Sequence, residues 1–298
     1  EEEKAMMRAS QSFALSAIRY CLVAAVFIIV SAIYSEPAKA VTLVFVHGKG
    51  DAATLDYNYT LQQYWTPDMI KAATRNYATP YLVVTYDGRQ AYWDAAGEVA
   101  RECNLLLDQG KKDLVFVTHS MGGCVMRYIL CNADPSDPYY NYNGNYNRIQ
   151  ANTVRVLSYA PPNAGSEAAD LAGSLSSSFF TAWIVSLLNQ DYPSTQCLTT
   201  ANVQYANNNW FRDSLRSKPI YSVAGTGLWN DFCLECVGLA TLSGLAGLPG
   251  EDDGAVAQYS AHKTGAPGYD WYNTDANHHY NRRNSYRKLG EDIANYGY

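Results

Sequence analysis

The sequence predicts an α/β protein, a mostly parallel sheet with helices on both faces. Three observations carry this. Apolar, β-branched runs alternate along the chain with amphipathic stretches. The runs are continuously apolar rather than alternating, the pattern of strands buried on both faces by crossover helices. One of them, "DLVFVTH" (113–119), passes through Ser120 straight into an apolar, helix-like stretch, with Gly122 and Gly123 crowded behind the serine. The chain of 298 residues, 48 % hydrophobic, is long enough for one or two domains and a large core.

The elements follow in order. "VTLVFVHG" (41–48) reads as a buried strand ending in a turn. Residues 67–77 read as a helix and "YLVVTYDG" (81–88) as a strand. "YWDAAGEVARECNLLLDQG" (92–110) is a helix closed by Gly110, a residue suited to a helix stop. After the strand at 113–119 comes a helix over 121–130. "NTVRVLSYAPP" (152–162) and "KPIYSVAGTG" (218–227) are two further strands. The long excursion between them, about residues 165–217, holds "LSSSFFTAWIVSLLN" (175–189), which is apolar nearly all round. Such a segment suits a lid whose apolar face covers a pocket, or a core helix. No internal repeat is visible.

Charge and composition exclude some partners. A net charge of −6 argues against nucleic acid, which calls for clustered Lys and Arg. Some of the 25 tyrosines fall in polar surroundings such as "DPSDPYYNYNGN" (134–145), a surface loop by its turn chemistry. Arg8 and Arg19 precede "CLVAAVFIIVSAIY" (21–34), an apolar core of signal-peptide length, and Ala38-Lys39-Ala40 forms an A-x-A cleavage site. Residues 1–40 therefore read as a leader, and 41–298 as an exported domain, secreted or periplasmic. Six cysteines follow the leader: Cys103, Cys124, Cys131, Cys197, Cys233 and Cys236. An even number in an exported chain predicts disulfides. The Cys233/Cys236 pair has no second pair or nearby His to make a metal site, so it reads as a local or loop-to-loop disulfide, whereas Cys124 and Cys131, seven apart on one helix face, include a buried thiol.

The chemistry centres on Ser120. Parallel sheets place active sites at the carboxyl ends of their strands, and a strand–Ser–helix turn there lifts the hydroxyl clear of the backbone. Small residues must flank it, which Gly122 and Gly123 supply. Thr118 stands where the G-x-S-x-G pattern has glycine. A second signal is "FVHGKGD" (45–51). Its glycine lets the chain bend so that the next backbone N–H faces the serine. The N–H groups of Lys49 and Met121 would then form an oxyanion hole. His47, at a strand end, reads as support for that turn. His119 adjoins the nucleophile, and its strand position is expected to point it away. A base and an orienting carboxylate must come from later in the chain. "GEDDGAVAQYSA" (250–261) offers acids, and His262, His278 and His279 remain as bases.

These motifs together resemble the secreted bacterial triacylglycerol lipases of the α/β-hydrolase superfamily. The match runs in order through "FVHG", "THSMGG", "APPNAGSEAAD", "LTTANVQYANNN", "YSVAGTG", "DDGAVAQYSA" and "NHHY". Ala160, Pro161 and Asn163 depart from that family's pattern. The resemblance implies an α/β-hydrolase fold with a lid insertion, Asp253 as the triad acid and His278 as the base. Several members hold a structural calcium through an Asp two residues after the base. Tyr280 stands there, so no metal is carried over, and the chemistry calls for no cofactor.

The resulting expectation is a serine hydrolase that cleaves carboxylic esters through an acyl-enzyme. The apolar 175–189 segment favours a lipid or long-acyl ester, with transient contact between lid and lipid surface. Two other readings use the same residues: a phospholipase or acyltransferase on envelope lipids, and a non-catalytic exported protein on a decayed hydrolase fold.

Overall fold

The computed structural model describes residues 41–50, 52–133, 146–174, 192–211, 218–227, 234–263, 270–274, 278 and 286–296. In chain order these form β1 (Thr42–Val46), α1 (Pro67–Ala73), β2 (Tyr81–Val84), α2 (Tyr92–Asp108), β3 (Leu114–His119), α3 (Met121–Cys131), α4 (Tyr146–Asn152), β4 (Thr153–Tyr159), α5 (Glu167–Ser174), α6 (Thr200–Asn209), β5 (Ile220–Gly225), α7 (Leu234–Ala246), α8 (Gln258–His262), β6 (Asp270–Thr274) and α9 (Tyr286–Tyr296).

The strands lie in the order β2-β1-β3-β4-β5-β6, and every pairing is parallel. The chain steps from β1 to β2 on one side, then returns to place β3 on the other side of β1. The carboxyl ends of β1 and β3 therefore flank the point where strand order reverses, the usual crevice of open α/β sheets.

Period-two alternation explains why the strands read as continuous apolar runs. Val44, Val46, Leu114 and Phe116 face a core built with α2, α3 and α4. Leu43, Phe45, Val115 and Val117 face a second core with Trp65, Met69 and Ile70 of the α1 region and Ile293 of α9. Burial of each such Val, Leu or Phe side chain contributes about 1.5–3 kcal/mol. Both faces are covered, so neither set of residues can be polar.

The structure departs from the sequence reading in three places. The helix expected over 67–77 ends at Ala73, where Thr74 Oγ1 donates to the Ile70 carbonyl at 2.6 Å. Arg75, Asn76 and Tyr77 then take φ of 51°, 61° and 63°, which no helix continues. Strand β6 was not expected, because "DWYNT" is polar and lacks the apolar run. It pairs on one side only, at the sheet edge, where a polar strand is tolerated. Among the described residues no disulfide is seen: Cys103, Cys124, Cys131 and Cys197 are buried thiols, and the side chains of Cys233 and Cys236 lie outside that set. Burial raises the Cys124 thiol to about 11 and the Cys197 thiol to about 12. These cysteines serve as small apolar core residues. The leader (1–40), the loop at 134–145, the apolar segment at 175–189 and Cys233 lie outside the described residues.

Candidate active site

Strand β3 ends at His119 and α3 begins at Met121, so Ser120 alone makes the turn. Its backbone sits at φ 53°, ψ −129°, a conformation that costs roughly 1–3 kcal/mol in a non-glycine residue. The serine N–H is held by the Tyr159 carbonyl of β4 at 2.8 Å, which fixes the turn against the next strand. Close approach explains two glycines. A Cβ on Gly48 would stand 2.6 Å from Ser120 Cβ, and one on Gly122 would stand 2.5 Å from the Val46 and His47 carbonyl oxygens. The ends of β1 and β3 thus nearly touch around the serine. Thr118 fits without glycine because its hydroxyl donates to Ser158 Oγ at 2.8 Å, inside the sheet-to-helix layer and away from the serine side chain.

His278 Nε2 lies 3.0 Å from Ser120 Oγ, and its Nδ1 lies 2.9 Å from Asp253 Oδ2. Asp253 is completely buried. Its second oxygen, Oδ1, accepts the Ala255 and Val256 N–H groups at 3.0 and 2.7 Å. The carboxylate is therefore oriented from both ends. The His278 main chain joins in, its N–H donating to the Asp253 carbonyl at 2.7 Å. The neighbouring Asp252 turns elsewhere, accepting from Ser243 Oγ at 2.9 Å and the Gly254 N–H at 2.8 Å. Burial raises its pKa. Of the two adjacent acids, only Asp253 faces the histidine.

The other histidines have their own work. His262 is fastened between Ser222 Oγ of β5 and Asn273 Oδ1 of β6, both at 2.7 Å, so its ring ties the sheet edge together. His47 is fully buried and stacks on Tyr86 at 3.8 Å between ring centres. The Tyr86 N–H reaches His47 Nε2 at 3.4 Å, which leaves the proton on Nδ1 to donate to the Gly48 carbonyl at 2.8 Å. In a trans peptide the N–H opposes the C=O. Holding the Gly48 carbonyl therefore aims the Lys49 N–H the opposite way. The Met121 N–H is the first of α3, one of the leading groups that a helix leaves without an internal partner. Burial also lowers the Lys49 ammonium from 10.5 to about 8.

His119 does not turn away from the site as its strand position suggested. Its ring lies 4.9 Å from the His278 ring, and its Nε2 is 3.1 Å from the His278 carbonyl oxygen. Alternation sends it to the face of Val115 and Val117, where its ring meets that of His278. Sequence reasoning also missed Asn163, one of the family departures. It is buried, accepts Arg127 Nη1 at its carbonyl and its side chain, and donates to the Ala261 carbonyl at 2.8 Å. It braces the turn after β4 against α8. His279, Asn277 and Tyr280 lie outside the described residues.

A hydroxyl, an imidazole and a buried carboxylate in line are the parts that move a proton off a serine and back. No family model and no curated protein matches the sequence. Solved structures do. The chain is similar to the mature form of lipase BlEst2 from Bacillus licheniformis, at 18 % identity over 87 % of this chain and 90 % of that one, with a TM-score of 0.62. It is similar to the metagenomic carboxyl esterase MGS0156, at 18 % identity over 88 % of this chain and 79 % of that one, TM-score 0.59. EstA from Clostridium botulinum aligns at 13 % identity over 88 % of both chains, TM-score 0.58. At such identities it is the architecture that is shared, and with its all-parallel sheet and strand–Ser–helix turn the chain has the α/β-hydrolase fold.

Proposed function

We propose that the chain is a serine hydrolase of carboxylic esters, acting as a lipase on acylglycerols or other long-acyl esters. The observation that carries this is the unbroken line Ser120 Oγ, His278 Nε2, His278 Nδ1, Asp253 Oδ2. Ser120 attacks the ester carbonyl as His278 takes its proton. Asp253 holds the ring with Nδ1–H facing the carboxylate, so that Nε2 is bare, and it stabilises the imidazolium that forms. The N–H groups of Lys49 and Met121 receive the oxyanion, a contribution of about 3–4 kcal/mol per donor in such sites. The alcohol leaves with the proton from His278. Water, deprotonated by the same ring, then releases the acid and restores Ser120.

The lipid preference rests on the apolar 175–189 segment and on the resemblance to lipases. Solved neighbours described as lipases and as a carboxyl esterase are compatible with it. Export rests on the leader at 1–40, and transient contact with a lipid surface on the apolar 175–189 segment. A panel of p-nitrophenyl esters from acetate to palmitate tests the reading, with Ser120→Ala as the blank. The wild type is expected to prefer the longer acyl chains, and the folded alanine variant to lose several orders of magnitude in kcat. Comparable turnover in that variant would mean another nucleophile.

A further inference from the structure

A second line of hydrogen bonds runs behind the first. The Gly48 N–H donates to Tyr64 Oη at 2.7 Å, Tyr64 Oη lies 2.6 Å from His119 Nδ1, and His119 Nε2 lies 3.1 Å from the His278 carbonyl oxygen. The protons along it can be assigned. A carbonyl only accepts, so His119 Nε2 carries the proton. A neutral imidazole has one, so Nδ1 is the acceptor and the Tyr64 O–H donates to it. Tyr64 in turn accepts from Gly48. Every link has one donor and one acceptor, and the chain of donation runs in one direction.

Its two ends are informative. Gly48 precedes Lys49, whose N–H is read as an oxyanion donor. The carbonyl at the other end belongs to His278, the base. That residue is held by Asp253 at its N–H and at Nδ1, and by His119 at its carbonyl. The His119 ring also packs against the His278 ring at 46° between planes. Both Tyr64 and His119 are 3 % exposed, so neither offers a surface to substrate. Their hydrogen bonds lie in a low-dielectric interior, where such links are stiff and costly to leave unmade.

We propose that Tyr64 and His119 are positioning residues that fix the spacing between the base and the oxyanion turn. The proposal rests on His278 being the base and the Lys49 N–H an oxyanion donor. It explains why a histidine precedes the nucleophile and why a tyrosine is buried against the turn: each needs a partner that both accepts and donates.

The test uses His119→Leu, His119→Gln, Tyr64→Phe and the double variant His119→Leu/Tyr64→Phe, with kcat and KM measured on a soluble short-chain ester. Leucine removes both links. A carboxamide keeps one acceptor and one donor. The leucine and phenylalanine variants are expected to lose kcat on the order of 10- to 100-fold, as for a small misplacement of reacting groups, with KM nearly unchanged. Glutamine is expected to recover most of the loss. The double variant should be little worse than the poorer single, because both cut one chain. Independent, multiplicative losses would overturn the proposal, as would a loss confined to KM, a fully active Tyr64→Phe, or glutamine no better than leucine. Should the leucine variant not fold, Tyr64→Phe and His119→Gln carry the same comparison. A His278→Ala control separates the two readings: full activity there would refute the base assignment itself.

Discussion

Lys49 shows how a single residue serves two demands at once. Its backbone N–H is the oxyanion donor proposed above, while its side chain is drawn into the protein, where burial lowers the ammonium from 10.5 to about 8. Below pH 8 the folded chain holds a charge that water would solvate better. As pH rises from about 8 to 10.5, the unfolded chain still binds a proton that the folded one has released, so stability from this group rises over that window. Lys49→Met removes the charge and keeps the backbone. It is expected to stabilise the fold at pH 7 by about 1–3 kcal/mol, with the gain fading above pH 8 and gone near 10.5. Urea denaturation at pH 7 and at pH 10 checks this, and a gain equal at both would assign it to packing. The sequence disclosed the turn through "HG" but not the fate of the lysine, since nothing local says which way a side chain leaves a turn. Thr118 is the converse case. It stands where the G-x-S-x-G pattern has glycine, and Ser158, forty residues on, supplies the partner that makes threonine fit.

Among the elements, the strands were the most legible and the site's supports the least. The buried runs of β1 to β5 announce themselves because a covered parallel sheet is lined mainly by apolar residues on both faces. The polar edge strand β6 gives no such signal, although His262 depends on its Asn273. Helix α3 was visible from its apolar content, but its inner anchor was not. Arg127 is buried on α3, donates to Asn163 and to Asn207 Oδ1 of α6 at 2.6 Å, and lies 4.3 Å over the Phe211 ring. One side chain thereby joins α3, the turn after β4 and α6. Arg127→Met is expected to cost about 2–4 kcal/mol, since several acceptors of a charged donor are left unsatisfied. A fall in the denaturation midpoint without a change in the slope would show it. A variant as stable as the wild type would mean that these helices are held by apolar packing alone.

At the scale of the whole molecule, residues far apart in sequence meet at one end of the sheet. Gly48 follows β1, Ser120 follows β3, Asp253 lies between β5 and β6, and His278 comes after β6. This convergence was legible only in part. The spacing of "THSMGG" and "FVHG" marks the nucleophile and its turn from local geometry. The acid and base were indicated by resemblance, because nothing in the spacing of Asp252, Asp253, His262, His278 and His279 chooses among them. The fold brings His278 to Ser120 across 158 residues of chain, with Asp253 behind it. We propose that this convergence activates Ser120, and covalent labelling reads that activation without a substrate. An alkyl fluorophosphonate, followed by peptide mapping in a mass spectrometer, is expected to place one equivalent on Ser120 of the wild type and far less on folded His278→Ala and Asp253→Asn variants. Label on another residue, or labelling of Ser120 at the same rate when His278 is gone, would contradict it.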